Sequence, residues 1–278
     1  MLLDMLRTVR RNGRRLDRLA AAIPTTADRL TLYRRDPARL MIDAGFAPDP
    51  WQVQLLRGDA PRSLLLCARQ VGKSTVTAAL ALKTALTQPG STTIVTAPVE
   101  PQANELLRKV LSMHNAIGRP VALLREAVTY LEFANGARVL ALPGKERRVR
   151  SYSVDLLIVD EAARVLDEVF SAASPTLAVS GGRLVALSTA FAKSGWFYDA
   201  WTGDEDYRRL SITARDCPRI SPEFLESERR TLGQRWFDME YLNIFGDDIA
   251  AVFSVADIEA ALDDERVQPL FAKTEAAA

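Results

Sequence analysis

The chain has 278 residues, and its 36 Lys and Arg nearly balance its 35 Asp and Glu, which leaves a net charge of about +1. This balance does not indicate a nucleic-acid binder, and it does not exclude one, because a motor that releases DNA at every step needs only local basic patches. One histidine and two cysteines without a C-x-x-C spacing leave too few ligands for a zinc site or a disulfide framework. The sequence shows no apolar run of membrane-spanning length and no signal-peptide pattern, so we expect a soluble intracellular protein without membrane contact.

The first 45 residues are rich in arginine and contain little β-forming sequence. The arginines recur at helical spacing among leucines, which predicts a basic, amphipathic helical arm over residues 1–45. Such an arm is either a solvated helix packed on the core or a contact for DNA or a partner protein. The single histidine, His114, falls in a later helical pattern, where we interpret it as a surface or packing residue.

From residue 46 the pattern alternates between strands and helices, and the strands are apolar or β-branched. Continuous apolar strands are expected where helices cover both faces of a parallel sheet. We therefore predict an α/β core over residues 46–214 with a mostly parallel central sheet, in which Asn135-Gly136 forms a hairpin turn. The predicted strands are 63–68, 92–97, 127–133, 137–142, 154–159 and 183–187, and the predicted helices are 74–86 and 100–115.

The sequence after residue 214 is helical again. Helices are predicted at 222–232 and 234–242, which would form a small helical lid over residues 215–250. Residues 251–278 have one plausible helix and a polar end, and we interpret them as a linker and tail.

A strand, a loop and a helix start at residues 64–75 carry a phosphate-binding signal. The loop ends in Gly72-Lys73-Ser74 and matches the last three positions of G-x-x-x-x-G-K-[ST], with Cys67 in place of the first glycine. Backbone N–H groups and the helix dipole favour phosphate at such a helix start. Lys73 would reach the β- and γ-phosphates and Ser74 would ligate Mg²⁺. The predicted ATP-binding residues of this loop are Arg69, Gln70, Val71, Gly72, Lys73, Ser74 and Thr75.

The strand predicted at 154–159 ends in two carboxylates, Asp160 and Glu161. Either motif alone could be a chance match or a solvated turn, but together they favour nucleotide hydrolysis. Asp160 would hold Mg²⁺, and Glu161 would orient or deprotonate the attacking water. Adjacent Asp and Glu separated from the phosphate loop by further strands are typical of motor ATPases. This arrangement predicts a P-loop NTPase of the additional-strand, catalytic-Glu type, with ATP and Mg²⁺ as cofactors.

Four segments in a fixed order resemble the terminase large subunit family of tailed phages. The resemblance covers roughly residues 45 to 265, and it departs from the family pattern at Cys67, Ser151 and Ala190 without removing a group needed for chemistry. The segments are Pro48-Asp49-Pro50-Trp51-Gln52, the loop containing Arg69, Arg150-Ser151-Tyr152-Ser153, and Leu187-Ser188-Thr189-Ala190.

The resemblance implies roles for individual residues. Arg69 would sense the γ-phosphate within its own subunit, and Gln52 would hydrogen-bond the adenine. Ser188 and Thr189 would pass the hydrolysis signal to the lid. Arg150 would act as an arginine finger in the site of a neighbouring subunit, although it lies in a basic loop that could equally be solvated or touch DNA phosphates.

The resemblance also implies a function. The chain would be the ATPase domain of a packaging motor that moves double-stranded DNA into a procapsid in the host cytoplasm. Its partners would be the capsid portal and the small terminase subunit, and it would form a homo-oligomeric ring when assembled but a monomer in isolation. The alternatives are a helicase-like nucleic-acid ATPase and an ATP-binding assembly module with little turnover alone.

Complete members of this family carry a metal-dependent nuclease domain after the lid. Such a nuclease needs a cluster of carboxylates on strand ends to hold two metal ions. The carboxylates after residue 253 fall in a predicted helix and at its end, so we expect no nuclease activity in this chain.

Overall fold

The computed structural model describes residues 25–143 and 152–247. Arg150 and the predicted linker and tail, residues 251–278, lie outside the described residues, as do residues 1–24 of the predicted basic arm. Within the described part, no helix has both the length and the apolar character needed to cross a bilayer.

Eight strands form one sheet in the order β3-β4-β5-β2-β6-β7-β1-β8. Strands β3, β4 and β5 pair antiparallel, and all other neighbours pair parallel. The strands are β1 (Arg62–Cys67), β2 (Thr92–Ala97), β3 (Leu123–Ala127), β4 (Tyr130–Phe133), β5 (Arg138–Pro143), β6 (Leu156–Asp160), β7 (Arg183–Ser188) and β8 (Arg208–Ile212).

Nine α-helices of the described part surround this sheet. The helices are α1 (Thr26–Arg35), α2 (Ala38–Asp43), α3 (Pro50–Arg57), α4 (Lys73–Thr87), α5 (Glu100–Ala116), α6 (Asp167–Ala173), α7 (Trp196–Thr202), α8 (Pro222–Leu232) and α9 (Gln234–Tyr241). Two buried clusters cover the two faces of the sheet, one including α4 and α5 and the other including Trp196 and Phe197. The predicted α/β fold with a mostly parallel, two-sided sheet is therefore confirmed.

The strand prediction was wrong at both edges of the sheet. The predicted strand 127–133 is divided, because β3 ends at Ala127 and β4 begins at Tyr130. Strands β3 and β8, which were not predicted, are the two edge strands. They carry mostly polar or exposed residues, so they lack the continuous apolar run that reveals a central strand. Leu124 and Val128 are apolar but point to solvent.

The described part of the N-terminal arm packs on the core. Tyr33 of α1 is fully buried, and its arginines bind backbone carbonyls at the ends of the large helices. Arg34 donates to Thr87 O at 3.2 Å and Arg29 donates to Ile117 O at 2.6 Å. His114 of α5 is fully buried with its ring edge against Phe133, so it is a packing residue.

Candidate nucleotide-binding site

The phosphate loop connects β1 to α4 as the sequence predicted. Gly72 has φ 94° and Gln70 has φ 62°, and this left-handed region favours glycine. A Cβ atom on Gly72 would also lie 2.6 Å from Gln52 Nε2, so a side chain there would displace the Gln52 amide. Cys67 is buried in the core, and burial raises the pKa of its thiol to about 12. A cysteine is therefore tolerated at the first position of the loop as an inert packing residue.

Lys73 lies at the centre of the loop, and its side chain is largely buried. Its ammonium group donates to Cys67 O at 3.1 Å and Ala68 O at 3.3 Å. The same Nζ lies 3.9 Å from Glu161 Oε1. Buried charges require such partners. The ammonium group of Lys73 therefore contacts both the phosphate loop and the carboxylate that follows β6.

The predicted acidic pair lies at the carboxyl end of β6, where ligands bind in open α/β sheets. Burial, and after it the charge of Glu161, raises the pKa of Asp160 to about 6. Glu161 has a left-handed φ of 49°, which is uncommon for a residue with a side chain. Its backbone N–H donates to Asp160 Oδ1 at 3.0 Å. Backbone strain and a perturbed carboxyl pKa cluster at functional sites.

The predicted coupling residues Ser188 and Thr189 lie at the end of β7, beside β6. Both are buried. Thr189 Oγ1 accepts a hydrogen bond from Arg164 Nη1 at 2.9 Å, and the same nitrogen donates to Glu161 Oε2 at 3.0 Å. A polar connection therefore joins Glu161 to the end of the next strand.

Two residues of this site were missed by the sequence reasoning, Arg164 and Glu240. Glu240 lies on α9, within the predicted lid, and is only 4% exposed. It accepts from Arg69 at 2.8 and 3.2 Å and from Arg164 at 3.1 Å. Arg164 follows Glu161 by three residues, which would have been a usable signal. Glu240 has no local signal, because only the fold brings it to the loop.

The predicted phosphate sensor Arg69 is therefore paired with the lid. Its backbone N–H also donates to Glu240 O at 2.9 Å. Arg69 is close to the predicted catalytic residues, as expected, but its guanidinium faces a lid carboxylate. A role toward γ-phosphate stays a prediction.

Gln52 lies against the phosphate loop, as the resemblance implied. Its Oε1 accepts from Asp49 N at 2.8 Å in the capping box of α3, and its Nε2 donates to Gly72 O at 3.3 Å. Both ends of this amide are engaged inside the protein, so adenine contact stays a prediction. Asp49 is also bound by Arg219 of the lid, at 2.6 and 2.7 Å.

Ser74 and Thr75 lie in the first turn of α4, next to Lys73. Val71 is a buried residue of the loop itself. The structure thus brings the predicted residues of the loop, the acidic pair and the coupling segment to one end of the sheet. Arg150 is the one predicted site residue outside the described part of the chain.

A sequence model described as "Terminase large subunit, T4likevirus-type, N-terminal" matches residues 64–260, well over half of the chain. The chain belongs to this terminase family. It is 23% identical over 250 residues to the probable terminase large subunit of Enterobacteria phage P7, which covers 81% of this chain and 50% of that protein. This terminase chain therefore spans about half the length of that curated relative.

Solved terminases share the fold. The Thermus phage P74-26 large terminase ATPase domain superposes with a TM-score of 0.66 at 20% identity, over 76% of this chain and 99% of that one. The large terminase of bacteriophage HK97 gives a TM-score of 0.61 at 15% identity, over 72% of this chain and 51% of that one. The predicted family and the P-loop NTPase fold are both confirmed.

Proposed function

We propose that this terminase chain binds ATP at the phosphate loop and hydrolyses it to ADP and phosphate. The observation that carries the proposal is the approach of Glu161 Oε1 to Lys73 Nζ, 3.9 Å apart across the crevice between β6 and the loop. Lys73 would bind the β- and γ-phosphates, and Glu161 would orient or deprotonate the water that attacks the γ-phosphate. Two solved structures of similar fold support nucleotide binding, because the large terminase of a thermophilic bacteriophage was determined with ADP and with ATP-gamma-S.

Magnesium fits the donors at this site. Ser74 offers a hydroxyl at the helix start, and Asp160 offers a carboxylate at the end of β6; both are hard oxygen ligands. Burial raises the pKa of Asp160 to about 6, which means that the surrounding protein charges do not fully compensate its negative charge. A divalent cation would supply that compensation and would stabilise the charge on the transferred phosphoryl group.

We propose that ATP hydrolysis drives the movement of double-stranded DNA into a procapsid in the host cytoplasm. Membership in the terminase family supports this proposal. The capsid portal and the small terminase subunit are the partners that such a motor would need. In an assembled ring, Arg150 of one subunit would complete the site of its neighbour, and an arginine supplied in this way can raise hydrolysis by roughly 10³–10⁵-fold.

The test is ATP hydrolysis as a function of protein concentration, with and without double-stranded DNA, and with Mg²⁺ or EDTA. We expect turnover that requires Mg²⁺ and rises faster than linearly with concentration. Lys73→Ala is the binding-deficient control, and Arg150→Ala should abolish only the concentration-dependent part. Binding of ATP with negligible turnover at every concentration, with or without DNA, would instead indicate an assembly module that holds ATP.

A further inference from the structure

Arg164 is held at the meeting point of three elements. It ends the short 3₁₀ turn Ala162–Arg164 that follows β6. Its Nη1 donates to Glu161 Oε2 at 3.0 Å and to Thr189 Oγ1 at 2.9 Å, while its Nη2 donates to Glu240 Oε1 at 3.1 Å. The guanidinium also lies over the ring of Phe191, with Cζ 4.6 Å from the ring centroid. Four contacts from three directions fix the plane of this group.

This placement gives the Glu161 carboxylate a defined orientation. One oxygen, Oε2, is bound by Arg164, and the other, Oε1, is turned toward Lys73 and the phosphate loop. Glu161 follows directly from a rigid strand, but its own side chain is about a quarter exposed. Without a partner on Oε2, the side chain could rotate among several conformations, and only some of them direct a carboxylate oxygen to the loop.

The same guanidinium makes the position of Glu161 depend on the lid. Glu240 is a nearly fully buried carboxylate on α9, and two arginines, Arg69 and Arg164, share it. If α9 moved, Arg164 would lose one acceptor, and its contacts to Glu161 and Thr189 would change with it. A lysine could not replace this arrangement, because a single ammonium group lacks the planar fork that reaches three acceptors.

We propose that Arg164 is a positioning residue for hydrolysis, which orients Glu161 toward the phosphate loop and links that orientation to Thr189 and to Glu240 of the lid. This inference rests on the proposed ATP hydrolysis. Arg164 acts through Glu161, so its loss should affect the chemical step far more than ATP binding. Misplacement of a reacting group by about 1 Å can lower a rate by about 10²-fold.

The experiment compares the kcat and KM for ATP of the wild type, Arg164→Ala and Arg164→Lys. Arg108→Ala is the matched control, because Arg108 also pairs with a glutamate three residues away but lies exposed on α5. We expect Arg164→Ala to lower kcat by about 10²-fold with KM changed by less than about threefold, and Arg164→Lys to recover only part of the loss. An unchanged or increased kcat in Arg164→Ala would overturn the proposal.

A purely structural effect is separated by repeating the change in the Glu161→Gln background, in single-turnover assays. If Arg164 acts through Glu161, Arg164→Ala should lower the residual rate of that variant by less than about twofold, because residues that act as one unit are not additive. The same fold loss in both backgrounds would contradict the positioning role. If the wild type hydrolyses ATP and Arg164→Ala hydrolyses it at the same rate, the positioning role is wrong but the proposed function is still supported.

If the isolated wild-type chain binds ATP without turnover, hydrogen exchange decides the question. ATP-gamma-S should change the protection of residues 234–241 in the wild type, and this change should be clearly smaller in Arg164→Ala. Equal changes in the two proteins would overturn the link to the lid. A wild type that binds no nucleotide would count against the proposed function itself.

Discussion

The sheet and the predicted lid hold the two sides of the proposed nucleotide site in different ways. On the sheet side, the strands that end at the site are buried on both faces, and Leu65, Ile158 and Leu187 have no exposed surface. On the side of the predicted lid, α9 buries Phe237 and Tyr241 in the same apolar core, but α8 has no buried residue. Ion pairs such as Arg219–Asp49 and Arg69–Glu240 also connect this region to the loop. Apolar burial is not exchanged when a charged ligand arrives, whereas ion pairs can be. We therefore expect a nucleotide to change the ion pairs and the position of α8 more readily than the position of the sheet.

The largest difference is expected when the same leucine-to-alanine change is made in the sheet and in α8. Leu65→Ala in β1 should lower the free energy of unfolding by about 2–5 kcal/mol, because it opens a cavity in a fully buried region. Leu232→Ala at the partly exposed end of α8 should change it by less than about 0.5 kcal/mol. Urea denaturation of both variants checks this difference, and equal losses would show that α8 contributes as much apolar burial as β1.

Asp160 places a carboxylate at a buried position of the sheet, so its substitution measures how much that charge lowers the free energy of unfolding. Its folded-state pKa of about 6 lies above the unfolded value of 3.8. The folded state therefore holds the Asp160 proton more tightly than the unfolded state does. The contribution of Asp160 to the free energy of unfolding is fully present below pH 4 and is lost as the pH rises through 6. At pH 8, Asp160→Asn should stabilise the nucleotide-free chain by about 3 kcal/mol, because the buried carboxylate is harder to ionise in the folded state than in the unfolded state.

The gain from Asp160→Asn should disappear near pH 3.5, and the variant should bind magnesium nucleotide more weakly. Denaturation in EDTA at several pH values measures the first effect. A gain that does not depend on pH would mean that the ionised carboxylate is not the cause.

The smallest effect concerns the lid attachment. Arg219 is half exposed, so Arg219→Ala should lower global stability by no more than about 0.2–1 kcal/mol. It should nevertheless reduce hydrogen-exchange protection in residues 222–232, because it removes a tie between the lid and Asp49. Arg229→Ala, which removes an exposed pair within α8 itself, is the control. Similar exchange in the two variants would mean that the Arg219–Asp49 pair does not hold the lid.

The sequence was sufficient where a local pattern and a chemical requirement coincide. Gly72-Lys73-Ser74 follows an apolar strand and begins a helix, and Asp160-Glu161 ends a second apolar strand, so both the motifs and the fold could be predicted. The bounds of α8 at Pro222–Leu232 were also correct, since Ser221 caps a helix that begins with proline.

The contacts between the loop and the lid could not be predicted, because they join residues far apart in the chain. Arg69 and Glu240 are 171 positions apart, and Arg164 and Glu240 are 76 apart. From the residue type alone, these arginines and this glutamate cannot be distinguished from solvated surface residues. The edge strands were missed for a different reason: they mix polar and apolar residues, and few of these residues are buried.

In the proposed function, Glu161 performs the chemistry, and the phosphate loop binds ATP without it. The most direct measurement is phosphate release under single-turnover conditions for the wild type and Glu161→Gln, with ATP affinity determined on the same samples. We predict equal affinities and a rate lower by about 10²–10⁴-fold in the variant. Equal rates at equal affinity would contradict this role of Glu161 and would mean that another group activates the water.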